Sequence, residues 1–142
     1  MHALEIRFAS LARPLFGAAF MRFIAYLGLC AAYLQGGLNK LTDFPAAIGE
    51  MTHFGLSPAP LFAVFVIILE LVASLMILTG FFRWLGAIAL GGFTLMATFL
   101  ALRFWELPDG MERFMAANSF FEHLGLVGGF LLVAWLDLRE KA

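Results

Sequence analysis

The stretch LFAVFVIILELVASLMILT, Leu61 to Thr79, decides the fold. It carries one charged residue, Glu70, among an otherwise almost wholly apolar run. At about 1.5 Å of rise per residue, a helix of this length is about 28 Å long, close to the hydrocarbon thickness of a bilayer. Pro58 and Pro60 precede the run and Gly80 ends it, in keeping with proline at a helix start and glycine just past its end. Working outward, three more apolar runs stand on either side. Together the four give spans at approximately 16–38, 60–80, 84–103 and 116–137 of a single membrane domain, residues 1–142. Only helices and closed barrels satisfy their backbone groups in lipid, and continuous runs of this length are not barrel strands. The expected fold is all-α, a four-helix transmembrane bundle.

Composition agrees. Hydrophobic residues make up 63% and charged residues 13% of the chain, against about 45–50% and about 25% in ordinary soluble domains. So small a soluble fold has no interior large enough to hide this much apolar surface. The net charge of −1 offers no basic surplus for phosphates, which excludes nucleic acid as a partner. Cys30 is the only cysteine, so the chain holds no intramolecular disulfide and no CxxC redox pair, and it reads as a small core hydrophobe.

The opening MHALEIRFASLARP does not have the form of a cleavable signal, because Arg7 and Arg13 are spread among apolar residues. Leu4, Phe8, Leu11 and Leu15 fall on one helical face, which predicts a short interfacial helix before the first span. Arg7, Arg13, Arg22, Arg83, Arg139 and Lys141 lie on one side of the membrane; Lys40, Arg103 and Arg113 lie on the other. The positive-inside rule then places both termini in the cytoplasm; the expected location is the bacterial inner membrane, as a multi-pass protein.

Function must be sought in polar groups held where lipid is expected. Glu70 sits near the midplane, where an ionised carboxylate costs roughly 2.5–3.5 kcal/mol on insertion scales. It is protonated, paired, or facing a wet cavity, and it is the best candidate for a catalytic group; the competing reading is a carboxyl that only ties span 2 to a neighbour. Gln35, Asn39 and Lys40 close span 1 on the outer side, Thr98 and Arg103 close span 3, and Asn118, Glu122 and His123 open span 4. Asn118 and Glu122 share a face with Gly125 and Gly129, and that face is expected to look into the bundle. An outward-opening ligand pocket walled by Gln35, Asn39, Lys40, Glu70, Arg103, Asn118, Glu122 and His123 follows, as does the alternative of an ion network that fixes helix register without a ligand.

His123 is the only histidine within a span, so bis-histidine haem has no second ligand. Glu122 and His123 are neighbours about 100° apart on a helix and do not make a metal site; none is expected. No motif encodes a cofactor. Phe104, Phe114, Phe120 and Phe121 crowd the outer rim, either as lipid and core contacts or as walls for a flat ligand such as a quinone ring. Small residues at Gly125 and Gly129, and at Ala87 and Gly91, suit close helix contacts within the bundle or the seam of a homo-oligomer.

GGLNKLTDFPAA (Gly36 to Ala47), GLSPAPLFAVFVIILEL (Gly55 to Leu71) and TGFFRWLGAIAL (Thr79 to Leu90) resemble the DoxX family of small four-helix membrane proteins. The resemblance runs from about Arg22 to Ala134. Its most specific elements fall on Gly37, Lys40 and Glu70, with the short Gly-to-Arg turn on Gly80 and Arg83. The chain departs from the family pattern at Arg103, where members often carry histidine, and at Glu122 and His123, where many carry a Lys-Asn pair. An exchanged acid and base would favour an Arg103–Glu122 bridge. The resemblance implies a membrane subunit with a redox or quinone connection. The expectation is an accessory, quinone-associated subunit of a membrane oxidoreductase system with membrane lipids, a quinone and redox proteins as partners. The alternatives are a non-redox lipophile- or lipid-binding or transport protein and a structural scaffold. No motif makes it a self-contained enzyme.

Overall fold

The computed structural model describes residues 2–142, and every regular element among them is helical. In chain order these are α1 (His2–Phe16), α2 (Ala19–Thr42), α3 (Phe44–His53), α4 (Ala59–Thr79), α5 (Arg83–Ala101), a 3-10 turn (Phe104–Glu106) and α6 (Met111–Glu140). Helices α2, α4, α6 and α5 with its 3-10 extension are long and apolar enough to cross a membrane. The chain is therefore an all-α, four-span membrane protein with an additional N-terminal helix. Helix α1 buries none of its side chains and touches only α2, which suits a helix lying against an apolar phase.

Neighbours in sequence are neighbours in space: α2 lies on α4, α4 on α5 and α5 on α6, while α6 returns to α2 through a slighter contact. Cys30, Tyr33, Ile77, Ala87, Leu90 and Phe130 fill the centre. Glycine sets how closely the helices approach. A Cβ on Gly37 would stand 2.7 Å from Leu71 Cδ2, and one on Gly86 would stand 2.8 Å from the backbone oxygen of Ala73. Lipid offers no hydrophobic force between helices, so such close van der Waals approach supplies much of the cohesion. Gly91 and Gly129 likewise face Phe130 and Leu29, whereas Gly125 faces open space.

Two helix boundaries differ from the sequence expectation by four residues or more. Helix α2 continues past residue 38 to Thr42, and α6 begins at Met111, five residues before the apolar run. The larger difference is α3, a helix in the segment between the first two expected spans, to which no element is assigned above. Asp43 caps it by accepting from the Ala46 N–H at 3.2 Å, Pro45 occupies its first turn, and Ala47 and Met51 bury one face four residues apart.

The end bearing the Gly80–Phe82 turn is stapled by polar groups. Gly80 takes the left-handed conformation that glycine adopts without strain (φ 85°) and closes α4. Asp137, only 3% exposed, accepts from the Trp84 N–H at 3.0 Å and from Lys141 Nζ at 2.6 Å. It thereby satisfies one of the orphan donors at the start of α5. Arg83 donates from Nε to the Ile77 carbonyl at 2.8 Å and lies 4.7 Å from the Tyr26 ring centroid. Arg22 grips Glu140 through two bonds of 2.9 Å, joining α2 to α6.

Candidate functional site

The opposite end, which carries α3 and the segment between α5 and α6, holds the one buried carboxyl without full partners among the described residues. Helix α4 places Glu70 at 5% exposure against α2, where Lys40 Nζ stands 3.4 Å from its Oε1. Helix α3 brings Glu50 Oε2 to 3.9 Å from the same ammonium. Lys40 is thus flanked by two carboxylates. Glu70 Oε2 has no hydrogen-bond partner. A Cβ on Gly36 would reach to 3.3 Å from Oε2 and 3.5 Å from Lys40 Nζ, so the glycine keeps space above the pair. An acceptor buried without a partner carries a desolvation penalty of about 1–3 kcal/mol, larger when charged.

This carboxyl stands at the edge of a cavity of about 430 Å³ between α3, α4 and α5. Lys40, Glu50 and Glu70 supply its polar edge; Met51, Phe54, Phe62, Phe65, Phe93, Met96 and Phe99 make most of the remaining wall. Phe65, Met96 and Phe99 are also exposed on the outside of the helices, so the wall is thin toward the surroundings of the bundle. Size and lining, apolar with a few converging polar groups, are those of a small-molecule pocket.

Of the residues expected to wall a pocket, the structure joins Lys40 and Glu70. Asn39 is exposed and borders a shallow depression on the other side of Lys40, between α2 and α3. Gln35 lies exposed on α2. His123 belongs to a separate cluster: its Nδ1 is 2.9 Å from Thr98 Oγ1, which donates to the Thr94 carbonyl at 2.6 Å, so the arrangement is satisfied with the proton on Nδ1. The Thr94 and Tyr33 hydroxyls share a short hydrogen bond in the core.

Three expectations are corrected. Arg103 pairs with Glu106 at 3.3 Å rather than with Glu122, and it borders a different depression with His53 and Glu112. Asn118 and Glu122 are exposed rather than turned into the bundle. The rotation of α6 explains this, because Phe120, Phe130 and Ala134 are buried and Glu122 lies about 200° round the helix from Phe120. Last, α6 does not line the cavity; its place is taken by α3. The aromatics of the rim are engaged with one another, Phe104 and Trp105 standing edge-on to Phe120 at 5.4 and 5.8 Å, and Phe99 alone of that cluster reaches the cavity wall.

Glu50, Phe54 just past α3, Phe62 and Phe65 of α4 and Phe93 and Phe99 of α5 were missed as site residues, although Phe44, Ala47, Ile48 and Met51 carry a helical spacing that would have placed Glu50 on a helix beside span 2. Among the described residues no group of three or more His, Cys, Asp or Glu side chains comes together as a metal site.

Comparison with known proteins adds a family and a relative. The sequence model of the family described as DoxX matches residues 21–103, the segment that contains Lys40, Glu50 and Glu70. The chain is 25% identical over 122 residues to the inner membrane protein YphA of Escherichia coli (strain K12), covering 84% of this chain and 86% of that protein. No solved structure matches.

Proposed function

Because the chain belongs to the DoxX family, a multi-pass protein of the inner membrane, we propose that the cavity beside Glu70 binds a lipophilic ligand of the quinone class. In this reading the protein serves as an accessory subunit of a membrane oxidoreductase system. The observation that carries it is Glu70 Oε2, a buried acceptor without a partner at the polar edge of a cavity walled by aromatic residues. A quinol hydroxyl donating to Oε2 would supply the missing hydrogen bond. Lys40 Nζ, already beside Oε1, is the donor for a carbonyl oxygen of the oxidised ring. Phe54, Phe62 and Phe93 offer flat apolar surface for the ring itself. Arg103, paired elsewhere, has no part in this arrangement.

Electron transfer in this scheme belongs to a partner protein, since Cys30 is the only cysteine and lies buried in the core. We place both termini in the cytoplasm on the distribution of Lys and Arg, which sets the Glu70 cavity in the outer half of the membrane.

The test is a titration of the protein in lipid nanodiscs with a tail-less benzoquinol and the matching benzoquinone. Saturable binding of the quinol that weakens about tenfold in Glu70→Gln is expected, since a hydrogen bond to a charged group contributes about 1.5–3 kcal/mol. Equal binding to wild type and variant would remove Glu70 from the site. Binding indifferent to the redox state of the ring would favour a second reading, a carrier or sensor of lipophiles without a redox role. The mutual pairing of Lys40 with both carboxylates is compatible with that reading as well.

A further inference from the structure

Phe65 has two roles in the surface of α4. It forms part of the wall of the Glu70 cavity, and it also opens a second hollow of about 250 Å³ that continues along the seam between α4 and α5. Ile68, Val72 and Met76 line this groove from α4, with Leu85, Gly86 and Ala89 from α5. None of these side chains is polar. From Phe65 to Met76 the groove follows α4 for about 16 Å, roughly half the hydrocarbon thickness of a bilayer. Its floor lies where α5 packs tightly on α4, at Gly86, whose added Cβ would stand 2.8 Å from the Ala73 carbonyl oxygen. The groove is open to the surroundings along its length, Ile68 and Val72 being exposed. It is therefore a channel parallel to the helices, with the cavity at one end and no other polar group along it.

We infer that the ligand of this protein is a single-tailed lipophile with a neutral polar head, the head seated at Glu70 and one hydrocarbon or isoprenoid tail lying in the α4–α5 groove past Phe65. The inference rests on the reading of the Glu70 cavity as a head-group site and adds the class of ligand it accepts.

Two observations select the class. Lys40 is the only cation at the cavity and faces both Glu50 and Glu70, so a phosphate or carboxylate head meets two acids for one base and is repelled, whereas a neutral hydroxyl finds the unpartnered Oε2. The groove lies between just two helices and is little more than half the size of the cavity, which fits one chain and not the paired chains of a phospholipid. The direction of the groove also matters. A tail lying along α4 runs parallel to the surrounding lipid chains, so a ligand can pass sideways from the bilayer over Phe65 and Met96 without bending its tail across the membrane.

The experiment compares a benzoquinol bearing a decyl tail with its tail-less counterpart, each titrated into nanodiscs holding wild type, Ala89→Phe, Val72→Trp, Glu70→Gln or Leu131→Phe. The first two variants fill the groove from opposite walls, so one remains informative if the other fails to fold. Leu131 lies exposed on α6, away from the groove, and serves as the control. Tail and lipid are equally apolar, so the groove gains only van der Waals contact, and we expect the groove variants to weaken the tailed probe by about threefold to tenfold. The tail-less probe should be unaffected by them, and Glu70→Gln should weaken both. Unchanged binding of the tailed probe to the groove variants, with the tail-less probe still bound, overturns the groove and leaves the head site standing. An equal loss in Leu131→Phe also overturns it. Failure of the tail-less probe to bind wild type refutes the head-group reading itself. Effective competition by decyl phosphate overturns the preference for a neutral head.

Discussion

Replacing Lys40 by methionine keeps the length of the side chain and removes its charge, which leaves Glu70 with no cation nearby. In wild type the ammonium stands 3.4 Å from Oε1, and the two side chains are 15% and 7% exposed. Removing one member of a fully buried ion pair costs about 3–5 kcal/mol. The Lys40 end is reached by solvent from the depression between α2 and α3, and its distance to the carboxylate exceeds the ideal of about 2.7–2.9 Å. We therefore expect a loss of about 1–2 kcal/mol for Lys40→Met, measured as unfolding of detergent-solubilised protein by circular dichroism. The double variant Lys40→Met/Glu70→Leu removes both charges and should regain most of that loss, because well-packed apolar replacements of a buried pair are often neutral. Glu50 provides an internal control: its carboxylate is half exposed and 3.9 Å away, so Glu50→Gln should change stability by less than about 0.5 kcal/mol. A Lys40→Met protein as stable as wild type, or a double variant whose losses simply add, would refute the claim that these two charges compensate each other.

Other expectations follow from the turn end and the helix crossings. Asp137→Ala leaves the Trp84 N–H without its acceptor and Lys141 and Arg83 without their anion, and should lower stability by about 2–3 kcal/mol in the same unfolding assay. Arg22→Ala breaks an exposed pair with Glu140 and the bond from Nε to the Tyr26 hydroxyl at 2.8 Å, and should cost no more than about 1–2 kcal/mol by the same measure. Gly86→Leu forces a side chain toward the Ala73 backbone and should destabilise by at least about 1–3 kcal/mol, whereas Gly92→Leu, at an open position, should not; thermal aggregation in detergent separates the two.

The spans were legible because a bilayer imposes a length on every apolar helix, and the runs around Leu61–Thr79 and Leu85–Leu102 have no competing interpretation. Glu70 and Lys40 were legible for a related reason: a charge at membrane depth must be answered by a partner, and the end of span 1 offered one. The rule that polar groups turn inward failed for Asn118 and Glu122. Helix α6 turns the face of Phe120, Phe130, Val133 and Ala134 into the bundle, and Asn118 and Glu122 fall outside it. Helix α3 escaped notice because Pro45, Gly49 and Gly55 punctuate the segment like a loop, although Asp43 followed by Pro45 is also the start signal of a helix. Asp137 read as the end of an apolar run, and nothing in the local sequence shows that it turns back to cap α5. What sequence periodicity conveys is which residues share a face; it does not convey which face a neighbouring helix will cover.

The most direct test of the central claim is native mass spectrometry of the protein released gently from its own membrane, beside the Glu70→Gln variant. The account predicts that wild type carries a bound lipophile of quinone-like mass and that the variant carries much less of it. Ligand-free spectra from both proteins, with the variant only less stable than wild type, would contradict the account and leave Glu70 and Lys40 as a pair that holds α2 against α4.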